Sequence, residues 1–165
     1  SNNILFEKDL SDFVTNNNQT FFILSMTKQS IRHKCLILAQ KFDLTPINII
    51  HPNSYLTKSS TLGNGVYIAA NVAISSNVKI NNHVIVNYNS VVGHDSIIKD
   101  NVIINPGVVV GGNVVLNERV IIGANSFILQ EKTIGADTTI DAMTYIDKNI
   151  DSRKISSNRN LNIYP

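Results

Sequence analysis

Residues 80–98 read Ile-Asn-Asn-His-Val-Ile-Val-Asn-Tyr-Asn-Ser-Val-Val-Gly-His-Asp-Ser-Ile-Ile. Ile80, Val86, Val92 and Ile98 stand six residues apart; His83, Asn89 and Asp95 follow three positions later, and Val84, Ser90 and Ser96 four positions later. A period of six is neither the 3.6 of a helix nor the alternation of a sheet ribbon, and a fixed short period signals a solenoid. Each hexad has room for one short strand and one tight corner.

The aliphatic position extends in both directions from this stretch, from Ile50, Leu56 and Leu62 to Ile134, Ile140 and Ile146, so residues 50–151 divide into seventeen hexads. A tight corner needs a residue tolerant of positive φ, which favours Gly, Asn and Asp. Those types hold the fourth place in 12 of 17 hexads, including Asn53, Gly65, Asn77, Gly107 and Asn149, although they make up only 40 of the 165 residues. The fifth place is small or β-branched, with Lys132 the clear departure. This double pattern resembles the hexapeptide-repeat family of left-handed β-helices. The resemblance implies an all-β-dominated, left-handed parallel β-helix of about five to six coils, with three hexads per coil. It also implies an exception to the usual right-handed crossover.

Ahead of the repeat, residues 20–26 read as a buried strand. Thr27 is the expected N-cap of a helix running to Phe42, with Ile31, Cys35, Leu38 and Phe42 on its packed face, and residues 45–50 return extended. The loop Ser25-Met26-Thr27-Lys28 sits where phosphates often meet a helix N-terminus, although an ordinary capped helix explains it equally well. No glycine-rich strand-to-helix turn precedes it, so residues 1–49 read as the second half of an α/β unit. Ser1-Asn2 reads as a remnant of tag removal, so an earlier segment is expected. The organisation is then a partial α/β segment over 1–49, the β-helix over 50–151 and a polar tail over 152–165.

Hydrophobic residues make up 43% of the chain and charged residues only 16%, which fits an ordered aliphatic interior. The formal charge is +2 with basic residues scattered, so no nucleic-acid partner is expected. A single cysteine, Cys35, and the absence of a long apolar run point to a cytoplasmic protein with no membrane partner.

Four histidines are candidates for chemistry. His33 reads as a surface residue of the helix, His51 as a linker residue beneath the first coil, and His83 as a corner residue. His94 differs: it occupies the third place of its hexad, with Gly93 before it and Asp95 after it, and the register places Ser76 and Gly112 one coil away on either side. Small neighbours leave a groove over the imidazole. Spacing alone leaves catalytic and structural roles evenly balanced.

The Ile50-His51-Pro52 junction, the stretch Asn87 to Asp95, and the later segments 105–114 and 122–126 resemble the bacterial sugar acetyltransferases that modify nucleotide-linked amino sugars and sialic acid for surface glycans. That resemblance implies an acetyl-CoA-dependent acetyltransferase acting on an amine or hydroxyl. His94 is then the general base and Asp95 its helper, which is chemically sound because a carboxylate favours proton uptake by imidazole. It further implies a homotrimer with acetyl-CoA between adjacent prisms, contacted at Ile103, Gly112 and Ala124, and with Asn87 near the active centre. Gly112 is the candidate N–H donor to an oxyanion. At Ile103 relatives can carry histidine, and the usual Gly-Asn-Pro-Ala ending is replaced here. The competing reading is a non-enzymatic assembly scaffold, which the repeat alone supports equally well. A zinc site needs three histidines, and beyond the His51 junction only His83 and His94 lie in the repeat, at different corner registers, so no metal is expected. No row of threonines suited to ice binding is present.

Overall fold

The computed structural model describes residues 13–14 and 19–157. Ser1-Asn2 and the end of the tail, 158–165, lie outside the described residues. The fold expected from the repeat is the fold found, a left-handed parallel β-helix of about six turns. Its two-residue strands stack into three parallel sheets. Face 1 runs from Ile49–Ile50 through Ile85–Val86 and Ile103–Ile104 to Ile155–Ser156; face 2 from Tyr55–Leu56 through Val91–Val92 to Tyr145–Ile146; face 3 from Thr61–Leu62 through Ile97–Ile98 to Thr133–Ile134. Successive strands on a face lie three hexads apart in the chain, as in Val91 against Val109, and three hexads make one coil.

The two sequence preferences each have a structural cause. The aliphatic places from Ile68 to Ile146 are buried and form one core with the fifth-place valines, among them Val66, Val72 and Val120. Each aliphatic side chain so buried is worth about 1.5–3 kcal/mol. The fourth place adopts positive φ in every hexad from Gly65 to Met143. That includes Arg119, Glu131 and Met143, whose residue types do not mark them as corners. At Arg119 the cost of the left-handed conformation, about 1–2 kcal/mol, is offset by a bidentate pair with Asp137 one coil on, at 2.6 and 2.8 Å. Asn53 and Asn149, by contrast, are not at positive φ. The repeat also shortens at its end: Ile150 bridges Ile134, where an unbroken register would bring Ser152, and Ile155–Ser156 pairs with Thr139–Ile140 equally early. The seventeenth hexad is therefore cut short, and this last strand lies within the stretch read as tail.

The amino-terminal unit is a β-α-β fragment, with β1 (Phe21–Phe22) parallel to β2 (Thr45–Pro46) and α1 (Gln29–Lys41) between them. Three expectations need correction. The strand read as buried over 20–26 is confined to Phe21–Phe22, and Phe21 is 50% exposed. Lys28, not Thr27, is the N-cap, and it contributes its carbonyl to Ile31 and Arg32 with no side-chain cap. The helix buries Arg32 and Ala39, whereas Ile31 is 43% exposed. The reason is docking: Arg32 donates to the carbonyls of Met26 and His83, and Gln29 donates to Asn101 O at 2.8 Å. These bonds tie α1 to the edge between faces 3 and 1, where Phe22 stacks on His83 with centroids 5.8 Å apart. Burial lowers the Arg32 pKa to about 10.

Burial, and then the Arg32 charge, also hold the His83 imidazole below its ordinary pKa. The folded state thus favours neutral His83. That contribution is present above the unfolded value of about 6.5 and is lost as the pH falls from there towards the lowered folded value. We predict a steeper fall in melting temperature between pH 8 and pH 5.5 for the wild type than for His83→Asn, which keeps a residue suited to the corner. Equal slopes would contradict this account of the docked edge.

Candidate functional site

His94 and Asp95 form the corner between faces 2 and 3. Asp95 has φ 58°, and its N–H donates to Ser76 O at 2.9 Å, while Asn113 N–H donates to His94 O at 2.8 Å. The ladder therefore fixes this corner from both sides, in the register expected. The ring then folds back onto its neighbour: His94 Nδ1 lies 2.8 Å from Asp95 Oδ2. A carboxylate only accepts, so Nδ1 carries the proton and the neutral ring presents its lone pair at Nε2. Asp95 Oδ1 accepts from Asn77 Nδ2 at 3.0 Å. The Asn77 bond, followed by that of His94, holds the Asp95 carboxyl below the usual carboxylate range. Both side chains remain accessible, His94 at 55% and Asp95 at 45% exposure.

Gly112 lies directly against the imidazole. A Cβ on it would sit 2.6 Å from His94 Nε2, and one on Gly93 would meet the Gly111–Gly112 peptide at 2.6 Å. Two glycines in successive coils thus let one backbone approach the next beneath the ring. No acceptor among the described residues takes the Gly112 N–H.

The other expected contacts lie elsewhere. Asn87 and Ala124 lie on the edge between faces 1 and 2, on the far side of face 2 from His94. Within one chain the six expected residues are not brought together. Ile103 is fully buried, two residues after the Asn101 carbonyl that Gln29 holds, so its side chain has no surface left for a cosubstrate. Asn87 lines a cavity of about 370 Å³ between the amino-terminal unit and face 1, with Ser25, Thr27, Ile49, Tyr67 and Tyr88 among its walls. The neighbouring Tyr88 hydroxyl, and then burial, raise the Tyr67 pKa. The strand-to-helix loop singled out in the sequence thus does line a cavity. The two tyrosines do not stand out in the sequence, because their meeting depends on the outward row of face 1 and its neighbouring corner. Asn77 was legible in principle, since it stands one coil before Asp95 at the same corner place.

Residues 95–130 match the family model described as bacterial transferase hexapeptide, six repeats. Among solved structures, the chain is similar to perosamine N-acetyltransferase from Caulobacter crescentus, a histidine variant in complex with CoA and GDP-perosamine. The identity is 24% over 92% of this chain and 71% of that one, with a TM-score of 0.87. It is also similar to the acetyltransferase domain of PglB from Neisseria gonorrhoeae in complex with acetyl coenzyme A, at 23% identity over 89% and 73%, TM-score 0.82. WeeI from Acinetobacter baumannii follows at 20% identity over 88% and 72%, TM-score 0.84. Comparison with curated protein sequences finds no match. Among the described residues, no helix is long and apolar enough to cross a membrane, and no three His, Cys, Asp or Glu side chains cluster as metal ligands.

The contact between Gly112 and the ring makes a direct prediction. Gly112→Ala keeps the coil, because the glycine is not at positive φ, but pushes the imidazole off its seat. Nitrogen NMR of histidine-labelled protein should show displaced His94 resonances with a melting temperature within a few degrees of wild type. Unchanged His94 resonances would contradict the packing described.

Proposed function

We propose that the protein is an acetyl-CoA-dependent acetyltransferase that acylates an amino group, or a hydroxyl, of a sugar, most suitably a nucleotide-linked one, in the cytoplasm for surface glycan synthesis. The observation that carries this reading is the His94–Asp95 pair, with Nδ1 bound to the carboxylate, Nε2 against Gly112, and both side chains accessible. A scaffold has no use for an accessible, oriented imidazole seated against a glycine. The fold shared with acetyltransferases solved with CoA or acetyl coenzyme A supports the choice of cosubstrate.

The chemistry follows from the residues. His94 Nε2 takes the proton from the acceptor nitrogen or oxygen as that atom attacks the thioester carbon. Gly112 N–H donates to the oxyanion that develops, a role that costs no reorganisation because the backbone is already fixed by the ladder. As the carbon–sulfur bond breaks, the imidazolium returns its proton to the departing thiolate. Asp95, held as a carboxylate, stabilises the imidazolium between these steps. Cys35 sits partly buried in α1 and takes no part.

The separation of Asn87 and Ala124 from His94 fits a homotrimer. Face 2, which lies between the two edges, exposes Tyr55, Val91, Phe127 and Tyr145, with Phe127 and Tyr145 stacked at 5.7 Å. Packing around that face sets the Asn87 edge of one copy near the His94 edge of the next, with acetyl-CoA in the groove between them. The cavity beside Asn87, lined by Ser25 and Thr27, is suited to the nucleotide-linked acceptor.

Two measurements test this. His94→Ala should lower turnover of acetyl-CoA with nucleotide amino sugars by roughly 10²–10⁴-fold while leaving the fold intact; undiminished turnover would sink the assignment. Sedimentation equilibrium should give three copies for wild type and a smaller species for Val91→Arg, and a wild-type monomer would refute the shared groove.

A further inference from the structure

We infer that Asn77 is a positioning residue of the His94 site, one coil removed, which fixes the carboxylate that fixes the imidazole. The inference rests on the proposed reaction and adds to it the group that sets which imidazole nitrogen faces the groove. Asp95 has two side-chain partners among the described residues, Asn77 on Oδ1 at 3.0 Å and His94 on Oδ2 at 2.8 Å. An exposed carboxylate can rotate about its own bonds, and Nδ1–H of His94 then has only solvent to meet. Clamping Oδ1 removes that freedom and aims Oδ2 at Nδ1. The acceptor is a carboxylate, so the Asn77 amide must present its nitrogen, and the direction of the bond is chemically fixed. Asn77 is itself held: its φ is 58°, and its backbone N–H donates to Ser59 Oγ at 3.1 Å. The line of bonds therefore runs Ser59, Asn77, Asp95, His94 across successive coils, and it ends at the open Nε2.

An Asn at this corner also has a purely structural reading, because Asn71 makes the same one-coil rung to Asn89 at 3.1 Å on another edge. That rung ends on an amide with no histidine beyond it, and it supplies the control. Glycine accepts the left-handed corner at either position without steric cost. Asn71→Gly and Asn77→Gly should therefore lose similar amounts of thermal stability, whereas their effects on His94 should differ.

The test is long-range proton–nitrogen NMR of histidine-labelled full-length protein at pH 8, with His94 assigned through His94→Ala. Wild type and Asn71→Gly should hold the Nδ1–H tautomer. Asn77→Gly should raise the ratio of Nε2–H to Nδ1–H severalfold, and Asn77→Gly should add nothing once Asp95→Gly has removed the carboxylate. An unchanged tautomer in Asn77→Gly, or a further shift in the Asp95→Gly background, overturns the role of Asn77 alone. Full turnover in His94→Ala overturns the reaction that this role serves, so the two failures are distinct.

Discussion

The left-handed corner repeated every six residues is the constraint on which the rest depends. It turns the chain after each two-residue strand, returns it to the same face after three hexads, and so stacks like positions in columns. No strand of this length is stable by itself, and each coil buries its aliphatic residues only against the coils above and below. Where the corner residue is ill suited to positive φ, as at Arg119, the stacked register provides a partner in the next coil. Once the column is set, substitution at one place is felt a full coil away.

The site is a local use of that same device. Asp95 is at once a corner residue and the acceptor for His94, and Asn77 is both the corner one coil before it and its clamp. Close stacking also brings Gly112 against the ring, where any side chain would collide. The His94–Asp95 pair therefore sits on a tight corner that the ladder fixes from both sides, which suits the base proposed for it.

Much of this was legible because the repeat is strictly local. Ile50 to Ile146 and the Asn, Asp and Gly corners defined the coil, its register and the neighbours Ser76 and Gly112 of His94. What was not legible depends on contacts without a period. Arg32 is charged and sits in a helix whose obvious apolar face lay elsewhere, and only docking on His83 accounts for its burial. Ile103, expected at a cosubstrate contact, has a side chain that is fully buried, which no periodic feature of the sequence signals. The shortened last hexad follows from Ile150 taking the inward place ahead of register, where Asn149 had promised another regular corner. Of the expected site residues, His94, Asp95 and Gly112 lie on one edge of the prism, Asn87 and Ala124 on another, and Ile103 within face 1.

The proposed reaction requires that an acyl-CoA bind beside His94. Calorimetric titration of the purified protein with acetyl-CoA, and then with desulfo-CoA, tests it without knowledge of the acceptor. Saturable binding of both at one site per chain is the predicted result; no binding of either would contradict the account and favour a structural role for the solenoid.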